Sequence, residues 1–264
     1  MNLELEGRRA LITGSTAGIG YAIAHGLAAE GAKVVITGRT QAAVDAAIAR
    51  LKAEVPGAEA EGVAADCASA EGAQQVFDRI DAVDILVNNL GIYDRKAFFE
   101  IEDAEWLRYF EVNVMSGIRF ARRYAQAMAK KGWGRILFVS SESALNIPKE
   151  MIHYGMTKTA QLSVSHGLAM ELAGTGVTVN ALLPGPTTTE NTSRMRAARA
   201  KAAGKPVEQI EQEFFRDYRP TTLIGRFASV TEVANLAVYL CGAGASATTG
   251  AAMRVDGGVV NQIM

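Results

Sequence analysis

The stretch VSSESALNIPKEMIHYGMTK, residues 139–158, sets Ser141 thirteen residues before Tyr154 and Lys158 four residues after it. Two residues four apart share one face of a helix. An ammonium beside a phenol favours the phenolate by attraction of opposite charge. A free phenol titrates near pH ~10, too high for efficient proton exchange at neutrality. A lowered value makes Tyr154 an acid/base suited to an alcohol or a ketone. Ser141 closes the apolar run RILFVSS, and strand ends at the carboxyl edge of an open α/β sheet face its ligand crevice. A hydroxyl there can hydrogen-bond a substrate oxygen and stabilise charge developing on it. A Tyr-xxx-Lys pair alone is common on protein surfaces, but here it has no rivals. The chain has no Gly-x-Ser-x-Gly elbow, and its three histidines, His25, His153 and His166, lack metal-ligand spacing. No metal is expected. His153 is expected at a helix start, touching the cleft.

A second constellation lies near the start. LITGSTAGIG (11–20) ends an apolar run with Gly14, Gly18 and Gly20 and then opens a helical pattern. Glycines allow positive φ and close approach of backbone N–H groups, and a helix N-terminus adds donors and partial positive charge. Strand, glycines and helix in this order form a pyrophosphate cradle. The second strand ends VVITGRT, with Gly38 where an acid would accept a ribose 2′-OH, and then Arg39. An arginine there can pair with a 2′-phosphate and stack on adenine. Arg39 thus favours NADP(H); a merely solvated Arg39 would leave NAD(H) open.

Elements that place these groups follow from periodicity. Seven short apolar runs read as strands: 9–13, 33–37, 60–66, 84–89, 135–140, 177–183 and 251–255. Between them lie patterns with apolar residues three and four apart, including one long helical stretch over 103–131. Strands apolar on both faces and separated by helices imply a parallel sheet covered on both sides, a Rossmann-type doubly wound α/β fold. No Pro/Gly/Ser-rich linker, repeat or low-complexity tract divides residues 1–264, so a single nucleotide-binding domain is expected. Residues 187–222 break the rhythm with a charged, helical composition, as a lid or substrate-binding loop does. Its basic residues Arg194, Arg196, Arg199, Lys201, Lys205, Arg216 and Arg219 read as a solvated face balanced by Glu208, Glu211 and Glu213. Contact of one of them with an anionic substrate is the alternative.

Bulk composition narrows the partners. The 27 basic and 28 acidic residues leave a net charge of −1, which excludes binding of nucleic acid or anionic membrane through a bulk field. Neither an apolar leader nor a run long enough to span a bilayer is present, and a cytoplasmic location is expected. Cys67 and Cys241 read as two buried thiols in a reducing compartment.

Taken together, TGSTAGIG, NNLGI, EVNVMSG, VSS…YGMTK, VNALLPGPTTT, RF…EVANLAVYL and RVDGG resemble, nearly end to end, the short-chain dehydrogenase/reductase family, near its 3-oxoacyl-carrier-protein reductases. The resemblance implies an oxidoreductase moving hydride between a nicotinamide cofactor and a small carbonyl or secondary alcohol. It implies pyrophosphate held at Gly14, Gly18 and Gly20 with Ile19 beside them, adenine at Asp66, and a cofactor groove lined by Asn88 and Gly91. Asn113 would support a water joining Lys158 to solvent and would complete the catalytic set with Ser141, Tyr154 and Lys158. Tyr154 and Lys158 would also touch the cofactor, the latter at the nicotinamide ribose. Pro184, Gly185, Thr187 and Thr189 would border the nicotinamide. A homo-oligomer, tetramer or dimer, is implied, with the helices around 103–131 and 151–174 at one interface. Two departures stand out. Leu90 replaces the usual alanine of Asn-Asn-Ala-Gly, and Ala17 stands where many NADP users carry a basic residue. An NAD-dependent sugar or polyol dehydrogenase is the enzymatic alternative, and a non-catalytic nucleotide-binding regulator is the alternative of another class.

Overall fold

The structure, a computed structural model, describes residues 2–263. Alternation of strand and helix begins at once, with β1 (Arg9–Ile12), α1 (Gly18–Ala29), β2 (Lys33–Gly38), α2 (Gln41–Glu54), β3 (Ala60–Ala64), α3 (Ala70–Arg79) and β4 (Ile85–Asn88). It continues through α4 (Asp103–Phe110), α5 (Ser116–Lys131), β5 (Gly134–Val139), α6 (Ile152–Glu171) and β6 (Val177–Pro184). An excursion follows, made of β7 (Thr187–Thr188), α7 (Glu190–Ala203), α8 (Val207–Tyr218) and β8 (Ala228–Ser229), before α9 (Val230–Cys241) and β9 (Ala252–Val255).

Seven strands pair in the order β3-β2-β1-β4-β5-β6-β9, every pair parallel. All seven apolar runs of the sequence are in this sheet. Successive residues of a strand point to opposite faces, and the core divides accordingly. Ile12, Val34, Ile36 and Val87 join α1, α2 and α9 in one layer; Leu11, Val35 and Leu86 join Phe120 and Tyr124 of α5 in the other. Each such side chain, once buried, contributes about 1.5–3 kcal/mol. Chain order reverses between β1 and β4, so the carboxyl ends of these two strands part and leave the crevice where ligands of such sheets bind.

Two features of the fold matter for the site. Residues 103–131 form one continuous helical run, as expected, but not a uniform one. A π turn at Glu111–Met115 separates α4 from α5 and carries Asn113 inward to complete burial. The cause is local and polar: the Asn113 side chain is drawn onto the Ile92 backbone, accepting from its N–H at 2.8 Å and donating to its carbonyl at 3.1 Å. Single π turns often sit at functional positions. The excursion after β6 is a helical hairpin. Thr189 and Thr192 cap α7 reciprocally, Gly204 ends it in the left-handed region, and Pro206 precedes α8. α8 buries Ile210 and Phe215, while Phe214 stacks on Phe227 with ring centroids 5.0 Å apart.

Candidate active site

Sequence-distant side chains meet at the carboxyl edge of the sheet. Ser141 follows β5 in extended backbone, and its Oγ accepts the Ser143 N–H at 3.1 Å, opening the one-turn helix Glu142–Ala144. Tyr154 and Lys158 lie one turn apart on α6. Together with Gly18, Ile19, Gly91, Pro184, Gly185, Thr187 and Thr189 these three line one cavity of about 720 Å³.

Electrostatics of the pair differ from the sequence expectation. Burial pushes the Tyr154 phenol above its ordinary value; the nearby Ser141 hydroxyl pulls the other way, and the charge of Glu142 raises it further. Burial also pulls Lys158 down to about 7. Desolvation, which disfavours each charged form, therefore outweighs mutual attraction. Geometry gives the reason. The Lys158 Nζ lies 5.5 Å from the centre of the Tyr154 ring and donates to the Val139 carbonyl at 3.0 Å and to Gln161 Oε1 at 3.1 Å. Gly91 permits this placement, since a Cβ there would come within 3.2 Å of the Nζ.

Gln161 was not singled out by the sequence reading. Its Nε2 donates to the Asn113 carbonyl at 2.6 Å while its Oε1 accepts from Lys158. Gln161 thus joins Lys158 to the Asn113 backbone through a buried side-chain amide. The signal available in sequence was a polar residue three beyond Lys158, on the same helical face. Asn113 itself is fully occupied; its Nδ2 also meets Thr157 Oγ1 at 2.9 Å.

A dinucleotide fits the turn after β1. Gly14 and Gly18 have φ of 64° and 59°, and a Cβ on Gly20 would sit 2.5 Å from the Gly14 carbonyl oxygen. α1 starts with no side-chain cap and no acidic residue in its first turn, leaving its donors free for an anion. One anion already stands there: Glu190 Oε2 accepts the Gly18 N–H at 3.1 Å. Asn89, also missed in sequence, pins the turn by donating to the Thr13 and Gly14 carbonyls, both at 3.0 Å. Leu90, the bulky departure, packs on the second core layer and rests against Gly14.

Gly14, Gly20, Arg39, Asp66, Asn88 and Asn113 are not among the residues that line this cavity. Asn88 ends β4 with both side-chain polar atoms buried and unpartnered among the described residues. Arg39 is exposed just past β2, with no hydrogen bond or ion pair among the described residues. A Cβ at Gly38 would meet Thr16 Cγ2 at 2.5 Å. Asp66 lies two residues beyond the end of β3, exposed, its Oδ1 accepting the Ala68 N–H at 3.2 Å.

Two sequence expectations are corrected. His153 does not touch the cleft; it is fully buried against Tyr109, 4.2 Å between ring centroids, and Trp106. The reason is its place on α6, where it faces α4 rather than the sheet edge. Arg219 is no part of a solvated basic face. It is 8% exposed and pairs with the buried Glu142, beside Ser141, at 2.8 Å. Lys205 meets Glu213 at 2.6 Å as expected, but Arg196, paired with Glu211 at 2.9 Å, is only 12% exposed at its side chain and lies over the Phe227 ring on the cavity wall.

Comparison with known proteins decides the family. Residues 8–200 match the profile described as short chain dehydrogenase. The chain is a member of the short-chain dehydrogenase family. This dehydrogenase is 44% identical over 263 residues to the uncharacterized oxidoreductase YvaG of Bacillus subtilis, with 100% of each chain covered. It is 35% identical to the 3-oxoacyl-[acyl-carrier-protein] reductase FabG of Aquifex aeolicus, covering 98% of this chain and 100% of that one. The crystal structure of L-sorbose reductase from Gluconobacter frateurii, complexed with NADPH and L-sorbose, superposes with a TM-score of 0.93 at 33% identity, with 100% of both chains covered. As a short-chain dehydrogenase the protein is an NAD(P)-dependent enzyme acting on CH–OH or C=O groups of small molecules. Among the described residues no helix is long and apolar enough to cross a membrane, no cluster of three metal-ligand side chains occurs, and Cys67 and Cys241 are buried free thiols.

Proposed function

We propose that this enzyme transfers hydride between NADP(H) and a carbonyl or secondary alcohol, with Tyr154 as the proton carrier. Bound NADP(H) supplies or takes up the hydride at its nicotinamide. Tyr154 passes the proton to the substrate oxygen. Ser141 hydrogen-bonds that oxygen and stabilises the charge developing on it. Lys158, charged, steadies the tyrosinate and holds the nicotinamide ribose. Asn113 fixes Lys158 through Gln161. Gly14, Gly18, Ile19 and Gly20 hold the pyrophosphate, Arg39 the 2′-phosphate and Asp66 the adenine. Asn88 and Gly91 line the groove, and Pro184, Gly185, Thr187 and Thr189 border the nicotinamide. Residues 187–222 serve as the lid over the substrate.

The observation that carries this reading is the convergence of Ser141, Tyr154 and Lys158 on the wall of one cavity that also reaches Gly18 of the glycine turn. The free guanidinium of Arg39 and the NADPH complex of L-sorbose reductase support the choice of cofactor. A sugar or polyol dehydrogenase using NAD(H) is the second reading, favoured by Ala17 at a position where a base would bind the extra phosphate. Tyr154→Phe tests the chemistry. Loss of a positioned acid lowers turnover by about a hundred- to ten-thousand-fold, while NADPH binding, followed by its fluorescence, persists. Wild-type turnover in that variant would remove Tyr154 from the mechanism.

A further inference from the structure

Beside the reacting corner lies a carboxylate that the proposed chemistry does not use. Glu142 follows Ser141 directly, is 3% exposed, and lines the same cavity. Its Oε1 is crowded with donors: Arg219 Nε and Nη2 at 2.8 Å each, and Ser143 Oγ at 3.0 Å. Its Oε2 is buried with no donor among the described residues. A guanidinium and a carboxylate normally meet as two forks, one N–H to each oxygen. Here both Arg219 donors converge on one oxygen, and the remaining Arg219 Nη1 turns to the Tyr218 carbonyl at 2.7 Å. An ion pair that served only to fasten the lid would use both oxygens. Leaving one bare is unfavourable, since a buried acceptor without a donor loses its hydration without return.

We propose that the free oxygen of Glu142 is a substrate subsite: it accepts a hydroxyl hydrogen from the carbon next to the reacting carbonyl, so that the enzyme acts on polyhydroxylated ketones and the matching polyols. This rests on the reading of Ser141 and Tyr154 as the corner that receives the carbonyl oxygen. A hydroxyl one carbon away supplies the missing donor, which an unsubstituted alkyl ketone or a 3-oxoacyl thioester cannot do. Arg219 favours the ionised form of Glu142 and aims it. Burial and the nearby Asp256 push the carboxyl of Glu142 upward, against the attraction of Arg219. Arg219 stands at the end of α8, so the lid reaches the substrate through this pair.

The test compares matched ketones with the full-length enzyme and NADPH. 1-Hydroxy-2-butanone is set against 2-butanone, with the N-acetylcysteamine thioester of acetoacetate as a third substrate. The wild type is expected to favour the hydroxyketone by tenfold or more in kcat/KM, because a site built for a hydroxyl leaves a polar group unpaired with the analogue lacking it. The double variant Glu142→Met/Arg219→Met removes both charges together and so avoids a lone buried cation. Its preference ratio is expected to fall toward one, with NADPH fluorescence on binding as the check that it is folded. An unchanged ratio in the double variant, or a wild type that favours butanone or the thioester, overturns the subsite. Failure of the underlying chemistry reads differently: Tyr154→Phe would then reduce all three substrates at the wild-type rate.

Discussion

Replacing Gln161 by leucine separates the electrostatic link to Lys158 from simple packing. The substitution keeps a side chain of similar volume but removes the acceptor at 3.1 Å from the ammonium and the donor at 2.6 Å from the Asn113 carbonyl. A hydrogen bond to a charged group contributes about 1.5–3 kcal/mol. With about 1.4 kcal/mol per pK unit, the loss corresponds to about one to two units. The sign follows from which form the acceptor stabilises. Gln161 Oε1 favours the ammonium, so its removal lowers the lysine further, from about 7 in the intact protein. At neutral pH most Lys158 is then uncharged, and Tyr154 loses its cation. Initial rates of NADPH consumption, measured from pH 5 to 9 at saturating cofactor, should show the alkaline limb of the reduction profile displaced toward acid by about one to two units. Gln161→Glu restores an acceptor and should return the limb toward or above its original position. A Gln161→Leu profile that superposes on the wild type after scaling would refute the reasoning and leave Gln161 as packing alone.

Two further outcomes are expected. Arg39→Ala should weaken NADPH relative to NADH by about ten- to a hundredfold in kcat/KM, the loss of one charge-assisted contact to phosphate; an unaltered ratio would take the 2′-phosphate away from Arg39. Glu190→Gln removes the carboxylate that sits on the Gly18 N–H. A charge at a helix N-terminus is stabilised by about 0.3–1 kcal/mol, so NADPH should bind about two- to fivefold more tightly by fluorescence titration, and weaker binding would mean that Glu190 supports the cofactor instead of competing with it.

Much of this molecule was legible because its signals are local. The apolar runs gave every strand of the main sheet, and glycines, strand and helix gave the turn at Gly14–Gly20 in order. Tyr154 and Lys158 were found together because a helix repeat relates them. What the sequence reading missed joins distant segments. Gln161 meets Asn113 across 48 residues, and Arg219 meets Glu142 across 77, pairings set by how α6 and the helical excursion after β6 dock. The balance of burial against charge at Tyr154 was equally hidden, since desolvation depends on how the folded chain surrounds these groups and not on spacing. His153 was misplaced for a related reason: neighbours in sequence on a helix point about 100° apart, so standing next to Tyr154 says little about facing the same way.

The π turn at Glu111–Met115 has a consequence for the two helices that it joins. One additional residue within a helical run changes the angular phase of everything beyond it by about 100°. Upstream, Trp106 and Tyr109 are turned toward His153 on α6. Downstream, Phe120 and Tyr124 are turned toward Phe77 and the underside of the sheet. An amphipathic pattern that looks continuous thus addresses two different neighbours, and the phase slip between them is the place where an asparagine leaves the stripe and enters the interior.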